Sequence, residues 1–161
     1  MDIQFKSFLD LIAWSEGTST HPLTVNNGYD VLVTGVNGPH VFTDYSDHPF
    51  AHSGSVLVRT TPALISTAAG RYQLLARYWN VYRSQLHLAD YSPDSQDTVA
   101  LQQMKERNAL QPLLMADVAG AIKACSNIWA SFPGNNYGQG GHSLSALLAK
   151  YQEFLNGTQG S

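Results

Sequence analysis

The chain has little charge, little cysteine and no long apolar run for its 161 residues. Its 9 basic and 12 acidic side chains give a net charge of −3. No basic block stands out, which argues against a nucleic-acid partner. The one cysteine, Cys125, cannot form an internal disulfide, which fits a reducing compartment or indifference to redox state. Cys125 is interpreted as a small buried hydrophobe rather than a nucleophile, because nothing around it suggests activation.

Targeting and membrane segments are also missing from the sequence. No run reaches the roughly 18 apolar residues that a transmembrane helix needs. The first residues, MDIQFKSFLDLIAW, carry two acids and one lysine among the apolar positions. They lack the basic start and the uninterrupted apolar stretch of a signal peptide. We therefore expect that the protein does not insert into a membrane and that it accumulates in the cytoplasm of the cell that makes it.

What is present is typical of a single globular domain, which we predict to span residues 1–161. Apolar residues make up 43% of the chain, and most of them recur at helical spacing. Phe5, Phe8, Leu9 and Ile12 define a first helix, which Gly17 would end. Four further helices are predicted. One starts near Gly70 and has an apolar face of Leu75, Tyr78, Trp79, Tyr82 and Leu86. Two more cover SPDSQDTVALQQMKERNAL and residues 116–130, and a closing helix has an apolar face of Leu144, Leu147, Leu148, Tyr151 and Leu155.

One stretch between the first two helices has a β pattern instead. YDVLV and HVFTDY flank the turn-rich TGVNGP, so residues 28–45 are predicted to form a hairpin. Residues 46–61 mix Ser, His, Pro and Gly and are predicted to be a loop or flap. The fold class is therefore α+β, mainly helical, with a small antiparallel sheet.

Glu16 is the strongest candidate for catalysis. It lies at the last turn of the first helix, where the helix dipole disfavours a negative charge. A desolvated carboxyl group there would have a raised pKa and could protonate a leaving oxygen. The dipole alone is worth about 0.3–1 kcal/mol at an exposed site, so desolvation must contribute most of the shift. The alternative is a surface glutamate at a frayed helix end.

Other candidates each have a structural alternative. Asp44 and Asp47 offer a second carboxylate or are turn-forming aspartates. Gln73, at the expected start of a helix, is a ligand-binding amide or a solvated side chain. Tyr137 and Gln139, in the Gly-rich segment 131–142, suit contacts with a sugar, or belong to a flexible loop.

Metal, triad and phosphate-binding motifs are not found. The six histidines form no HExxH pattern, no CxxC pair exists, and no GxSxG elbow is present. The AAGRYQ stretch contains a glycine but lacks the glycine-lysine pair of a phosphate loop. We therefore expect no metal and no cofactor.

Several longer stretches carry a family resemblance. FLDLIAWSEGT, NGYDV, FTDYSDHP, AAGRYQLL, SQDTVALQQMKER and CSNIWAS, followed by PG and YGQ, occur in this order along the chain. Together they resemble the lambda-type phage lysozymes, the endolysins that are peptidoglycan lytic transglycosylases. The resemblance implies a lysozyme-like fold with a helical lobe, a small sheet lobe and a cleft between them.

The resemblance also implies roles for individual residues. Glu16 matches the single catalytic acid of the family, and Tyr72, Gln73 and Tyr137 fall where the family lines its glycan groove. Further predicted glycan contacts are Gln139, Asp44 and Tyr45.

These matches imply an enzyme that cleaves the β-1,4 bond between N-acetylmuramic acid and N-acetylglucosamine without water. The products would carry 1,6-anhydro-N-acetylmuramic acid ends. The alternatives are a hydrolysing muramidase with two carboxylates and a non-catalytic peptidoglycan-binding module. We expect a monomer that binds peptidoglycan glycan strands and stays in the host cytoplasm until lysis. Its access to the periplasm and cell wall would depend on a separate pore-forming holin.

Overall fold

The computed structural model describes residues 1–134 and 141–159, which form six helices and two small antiparallel sheets. The predicted class, α+β and mainly helical, is confirmed. The elements in chain order are α1 (Ile3–Ser15), β1 (Val56–Thr60), β2 (Ala63–Ser66), β3 (Ala68–Ala69), β4 (Leu74–Leu75), α2 (Ala76–Gln85), α3 (Pro93–Glu106), α4 (Leu110–Leu114), α5 (Val118–Cys125) and α6 (Leu144–Gln159). None of the described helices is both long enough and apolar enough to cross a bilayer.

The chain divides into two compact units. Unit 1 consists of Met1–Glu16 and Ala100–Ser161, and unit 2 consists of Gly17–Val99. Helices α1, α4, α5 and α6 belong to unit 1, whereas both sheets and α2 belong to unit 2. Each unit has buried apolar side chains of its own.

Unit 1 is organised around the packing of α1 against α6. Asp2 caps α1, because its side chain accepts a hydrogen bond from the amide of Gln4 at 2.8 Å. The ring of Phe8, fully buried, lies 5.9 Å from that of Phe132 and 6.5 Å from that of Tyr151, which belongs to α6. These edge-to-face contacts bury the predicted apolar face of α1.

The predicted helix over 116–130 is shorter in the structure. Ala116 adopts a left-handed backbone with φ +60°, which a helix cannot continue through. The side chain of Asp117 then caps α5 by accepting from the amide of Gly120 at 2.9 Å. The helix ends at Cys125, whose thiol is buried, in agreement with its interpretation as a small hydrophobe.

The regular hairpin of unit 2 lies later in the chain than predicted. Strands β1 and β2 pair antiparallel within and after the segment 46–61, which was expected to be a loop or flap. Val56 pairs with Ser66 and Leu57 with Ile65 in this hairpin. The β-branched and apolar run VLV therefore forms a strand despite its short length.

The predicted hairpin over 28–45 is reduced to isolated bridges, among them Val31 with Val41. The reason is that the backbone amides of this segment bond to different partners. Leu32 still donates across the predicted hairpin to the carbonyl of His40 at 3.0 Å, but Val33 donates to Ala68 at 3.0 Å and Val36 to Leu57 at 2.9 Å, both outside it. A continuous two-stranded ladder cannot form when its donors are divided in this way.

The helix predicted from Gly70 begins later, at Ala76. Gly70 has φ +78° and Gln73 has φ +51°, so the segment forms a turn that joins β3 to β4. The expectation that Gln73 opens a helix is therefore wrong. Within α2, Trp79 is fully buried as predicted, but Tyr78 is 45% exposed and does not share its face.

The core of unit 2 centres on Trp79 and Tyr91, whose rings pack edge to face with centroids 4.8 Å apart. Leu74 and Val99 complete this buried cluster. Val99 lies on α3, which begins at Pro93 as the sequence indicates.

Candidate active site

Glu16 forms the C-terminal cap of α1. Its backbone amide still donates to the carbonyl of Ile12 at 2.9 Å, and the next residue, Gly17, leaves the helix with φ +75°. A left-handed residue after the last turn is the usual way for a helix to end, and glycine adopts it without strain. The predicted position of Glu16 at the end of the first helix is therefore confirmed.

The side chain of Glu16 contacts Ser131, which lies 115 residues later in the chain. Oγ of Ser131 is 2.5 Å from Oε1 of Glu16, and the backbone of Ser131 also hydrogen-bonds the carboxyl group. Oγ of Ser131 lies 2.9 Å from Oγ of Ser15, whose hydroxyl donates to the carbonyl of Ile12 at 2.9 Å. Glu16 is half-buried and hydrogen-bonded, so it is not a solvated glutamate at a frayed helix end.

The surroundings of Glu16 raise the pKa of its carboxyl group above the ordinary value of 4.5. Burial is the largest cause, because it removes water from the charged form. The hydrogen bonds of Ser131 and the positive charge of His142 oppose the shift without cancelling it. The sequence-based expectation that desolvation contributes more than the helix dipole agrees with this order of causes.

An aromatic and cationic group lies beside Glu16 in unit 1. The ring of Trp14 is 4.2 Å from the ring of His142, and Nζ of Lys150 lies 5.3 Å from the Trp14 centroid. Sequence reasoning noted Trp14 but missed both cations and Ser131. No local signal identifies these residues, because they reach Glu16 and Trp14 only through the packing of α6 and the segment before it against α1.

Tyr72 and Gln73 lie in the turn of unit 2 between β3 and β4. Tyr72 is buried, and its hydroxyl donates to Oδ1 of Asp97 at 2.6 Å. Tyr29 donates to the same oxygen at 2.8 Å, and burial with this carboxylate raises the pKa of Tyr29 to about 12. Gln73 is half-buried, and its side-chain amide donates to the carbonyl of Gly70 at 3.0 Å.

The buried amide of Gln96 explains why the AAGRYQ stretch folds as a turn. Its oxygen accepts from the backbone amide of Arg71 at 2.9 Å, and its nitrogen donates to the carbonyls of Tyr29 and Tyr91. A Cβ on Gly70 would lie 2.3 Å from the amide oxygen of Gln96, so only glycine fits at that position. Gln96 therefore presents Tyr72 and Gln73 in a fixed conformation, and sequence reasoning missed it.

The candidate second carboxylates have partners of their own within unit 2. Asp44 is exposed and accepts from the amide of Ser46 at 2.8 Å, as a turn-forming aspartate does. Asp47 accepts from the indole of Trp79 and from the guanidinium of Arg83, both at 2.6 Å. Both are engaged in local structure.

The remaining predicted contacts differ in how far the structure describes them. The hydroxyl of Tyr45 accepts a hydrogen bond from the side-chain amide of Asn26 at 2.9 Å. Tyr137 and Gln139 lie outside the described residues. Within the described ranges no group of three or more His, Cys, Asp or Glu side chains is arranged to hold a metal ion.

Comparisons with known proteins match nearly the whole chain. A sequence model of the endolysin family matches residues 6–158. The endolysin of Escherichia phage lambda is 55% identical over 151 residues, which cover 93% of this chain and 90% of that protein. The endolysin of Escherichia phage P2 is 52% identical over 147 residues, which cover 91% and 89% of the two chains.

Solved structures give the same result for the fold. Bacteriophage lambda lysozyme complexed with a chitohexasaccharide matches with a TM-score of 0.85 and 54% identity, covering 96% of this chain and 95% of that one. A structure of lysozyme from bacteriophage lambda matches with a TM-score of 0.82 and 50% identity, with the same coverage. Sequence and structure therefore agree that this chain belongs to the endolysin family.

Proposed function

We propose that this endolysin cleaves the β-1,4 bond between N-acetylmuramic acid and N-acetylglucosamine in peptidoglycan without consuming water. Glu16 acts first as the acid and then as the base. The fragments end in 1,6-anhydro-N-acetylmuramic acid. The proposal treats residues 1–161 as one catalytic domain, because the endolysin family model extends over residues 6–158.

The observation that carries this proposal is the environment of the Glu16 carboxyl group. Burial raises its pKa, and its side-chain partner is the hydroxyl of Ser131 rather than a cation. Among the described residues of unit 1, His142 is coupled electrostatically to Glu16, and no second carboxylate is coupled to it. A single carboxyl group with a raised pKa is suited to general-acid catalysis.

The reaction needs one proton donor that becomes one proton acceptor. Glu16 donates its proton to the glycosidic oxygen, the bond to the anomeric carbon breaks, and the sugar gains oxocarbenium character. The 6-hydroxyl oxygen of the muramic acid then bonds to the anomeric carbon. Its proton passes to the Glu16 carboxylate, which restores the acid. No water enters, so the summed mass of the products equals that of the substrate.

A hydrolase would need a second carboxylate to activate water or to bond the sugar. Asp44 and Asp47 were the candidates, and both serve local structure in unit 2. Tyr72, Gln73, Tyr137, Gln139, Asp44 and Tyr45 are proposed glycan contacts. A relative in complex with a chitohexasaccharide supports the binding of a glycan chain.

Mass spectrometry of the fragments released from purified peptidoglycan tests the proposal. We expect anhydro ends and fragments lighter by one water than hydrolysis products. Reducing ends on the main fragments would identify a two-carboxylate hydrolase instead. Binding to peptidoglycan with no released fragments would identify a non-catalytic module.

Family membership also supports a proposal about how the enzyme is used. The protein acts as a monomer, remains in the host cytoplasm until lysis, and reaches the periplasm through a pore made by a separate holin. Expression in a host with and without a pore-forming protein checks this. Lysis only when the pore is present is the expected result, and lysis by the endolysin alone would contradict it.

A further inference from the structure

Four oxygen atoms form a row at the end of α1. Oε1 of Glu16 lies 2.5 Å from Oγ of Ser131, which lies 2.9 Å from Oγ of Ser15, which lies 2.9 Å from the carbonyl oxygen of Ile12. Every hydrogen bond needs one proton between its two oxygens, so three contacts need three protons. The two hydroxyl groups supply only two. All three hydrogen bonds can form at once only when the Glu16 carboxyl group is protonated and supplies the third proton.

We propose that Ser131 and Ser15 are positioning residues whose hydroxyl groups form a reversible hydrogen-bond chain that serves Glu16 in both of its protonation states. With Glu16 protonated, the carboxyl group donates to Ser131, Ser131 to Ser15, and Ser15 to the carbonyl of Ile12. The proposal rests on the acid-then-base role of Glu16 given above.

The ionised state uses the same atoms with the hydroxyl groups rotated. Ser15 turns away from Ile12 and donates to Ser131, and Ser131 turns to donate to the carboxylate of Glu16. The carbonyl of Ile12 still accepts from the amide of Glu16 at 2.9 Å, so no buried backbone group loses its partner. Oγ to Oε1 at 2.5 Å is a typical length for a hydroxyl bonded to a carboxylate.

The rotation conserves protons during the reaction. When Glu16 gives its proton to the glycosidic oxygen, each hydroxyl keeps its own hydrogen and only changes the oxygen to which it donates. When Glu16 recovers a proton from the 6-hydroxyl of the sugar, the two rotations reverse. The chain therefore holds the carboxyl group in one place through both steps without donating or removing a proton.

The number and the strength of the lost hydrogen bonds predict opposite effects for the two serines. Replacing Ser131 by Ala removes two hydrogen bonds from each state, but only the ionised state loses a charge-assisted bond to the carboxylate, so the charged form loses more and the pKa of Glu16 rises. Replacing Ser15 by Ala removes two hydrogen bonds from the protonated state and one from the ionised state. The protonated form then loses more, and the pKa of Glu16 falls. A purely structural role for these serines gives no such opposition.

Ser126 provides a matched control. Its hydroxyl donates to the carbonyl of Lys123 at 2.9 Å, three residues back, as Ser15 does to Ile12. The two serines are 7% and 8% exposed, and both lie at helix ends in unit 1. Ser126→Ala therefore removes the same kind of back-bond without touching the chain that reaches Glu16.

Other charged groups near α1 must stay constant in this comparison. His142 is coupled to Glu16, Lys150 lies over the ring of Trp14, and Lys6 pairs with Asp10 at 2.8 Å on α1 itself. None is changed in the serine variants. Repeating the titrations in a His142→Gln background removes the imidazole that is coupled to Glu16, and the opposite shifts should persist.

The experiment titrates the Glu16 carboxyl by carbon-detected NMR in the free protein and measures cleavage against pH. Ser131→Ala should move the Glu16 titration and the alkaline limb of activity upward, with turnover about tenfold lower, the loss expected for one hydrogen bond. Ser15→Ala should move both downward. Ser131→Thr, which keeps the hydroxyl, should restore the native limb.

The outcomes test the hydrogen-bond chain separately from the proposed function. Ser126→Ala should leave the Glu16 titration unchanged, which also controls for loss of stability. The proposed hydrogen-bond chain is overturned if Glu16 titrates in both Ser131→Ala and Ser15→Ala as it does in Ser126→Ala, or if the pKa of Glu16 moves in the same direction in both. Because the titration uses no substrate, it decides the chain even when the released fragments prove to be hydrolytic. If Ser131→Ala does not fold, the Ser15→Ala and Ser131→Thr titrations still decide it.

Discussion

Glu16 in unit 1 and Asp47 in unit 2 carry the same functional group in opposite surroundings. Both carboxyl groups are partly buried, and burial raises the pKa of each. At Glu16 the two hydrogen bonds of Ser131 and the charge of His142 do not overcome burial, so the pKa stays raised. At Asp47 the indole of Trp79, a backbone amide and Arg83 together outweigh burial, and the pKa is lowered.

Burial and hydrogen-bond partners together decide which carboxyl group can act as an acid, because the partners outweigh burial at Asp47 and do not at Glu16. Asp47 is held ionised by an N–H and a guanidinium, both at 2.6 Å, and it ties α2 to the segment before β1. Glu16 meets a hydroxyl, which can donate or accept and therefore tolerates either protonation state. The first arrangement stabilises a fold, and the second keeps a proton available.

The largest expected effect is on cleavage when the acid is removed. Glu16→Gln keeps the shape of the side chain but has no proton to give, so cleavage should fall about 10³-fold or more. Release of soluble fragments from purified peptidoglycan measures the rate. Binding of a chitohexasaccharide should change little, and cleavage at the wild-type rate would remove Glu16 from the mechanism.

Asp47→Ala should reduce stability instead of chemistry. The variant leaves the fully buried indole of Trp79 without its acceptor and Arg83 without its carboxylate, at a cost of about 2–3 kcal/mol. Urea unfolding at neutral pH measures the loss, and cleavage per folded molecule should be preserved. A fully stable variant that has lost cleavage would instead place Asp47 in the reaction.

The two groups should also give stability opposite dependences on pH. Glu16 has a raised folded pKa, so its contribution is present below its ordinary value of 4.5 and is lost as pH rises through the folded pKa. Asp47 has a lowered folded pKa, so its contribution is present above 3.8 and is lost as pH falls through the folded pKa. Each unit of pKa shift corresponds to about 1.4 kcal/mol.

Urea unfolding of wild type, Glu16→Gln and Asp47→Asn across the acid range tests these signs. The free energy of unfolding of Glu16→Gln should increase relative to that of wild type as pH rises, since an uncharged side chain suits the buried site. The loss of stability in Asp47→Asn relative to wild type should become smaller as pH falls. Parallel curves for all three proteins would mean that neither carboxyl group has a shifted pKa.

The smallest effect is expected at Asp44. Its side chain is exposed and accepts only local hydrogen bonds from Ser46, so Asp44→Asn should change stability little and leave cleavage measurable. Fragment release under the conditions used for Glu16→Gln checks this. If Asp44→Asn abolished cleavage in a folded protein, Asp44 would be a second catalytic carboxylate.

The local signals of the sequence predicted α1, which Glu16 caps, and the start of α3. The spacing of Phe8 and Ile12 indicated α1, Gly17 marked its end, and Pro93 marked the start of α3, as the structure confirms. Each of these signals acts within a few residues. The structural role of Asp44 as a turn former was also among the alternatives that the sequence supported.

Contacts between distant segments could not be predicted in this way. Ser131 reaches Glu16 across 115 residues, and Gln96 fixes Arg71 across 25. The left-handed conformation of Gln73 was missed because the apolar spacing after it suggested an early helix. The hairpin predicted over residues 28–45 is reduced to isolated bridges because the amides of Val33 and Val36 bond outside it, to Ala68 and Leu57. Tertiary partners decided all four cases.

The most direct test of the account is a carbon-detected NMR titration of the Glu16 and Asp47 carboxyl groups in one wild-type sample. We assign Glu16 as the acid, with a raised pKa, and Asp47 as a structural anchor, with a lowered pKa. We predict that Glu16 titrates above 4.5 and Asp47 below 3.8. A Glu16 carboxyl that titrates at or below 4.5 would contradict the account, because no acid would then be held ready for the glycosidic oxygen.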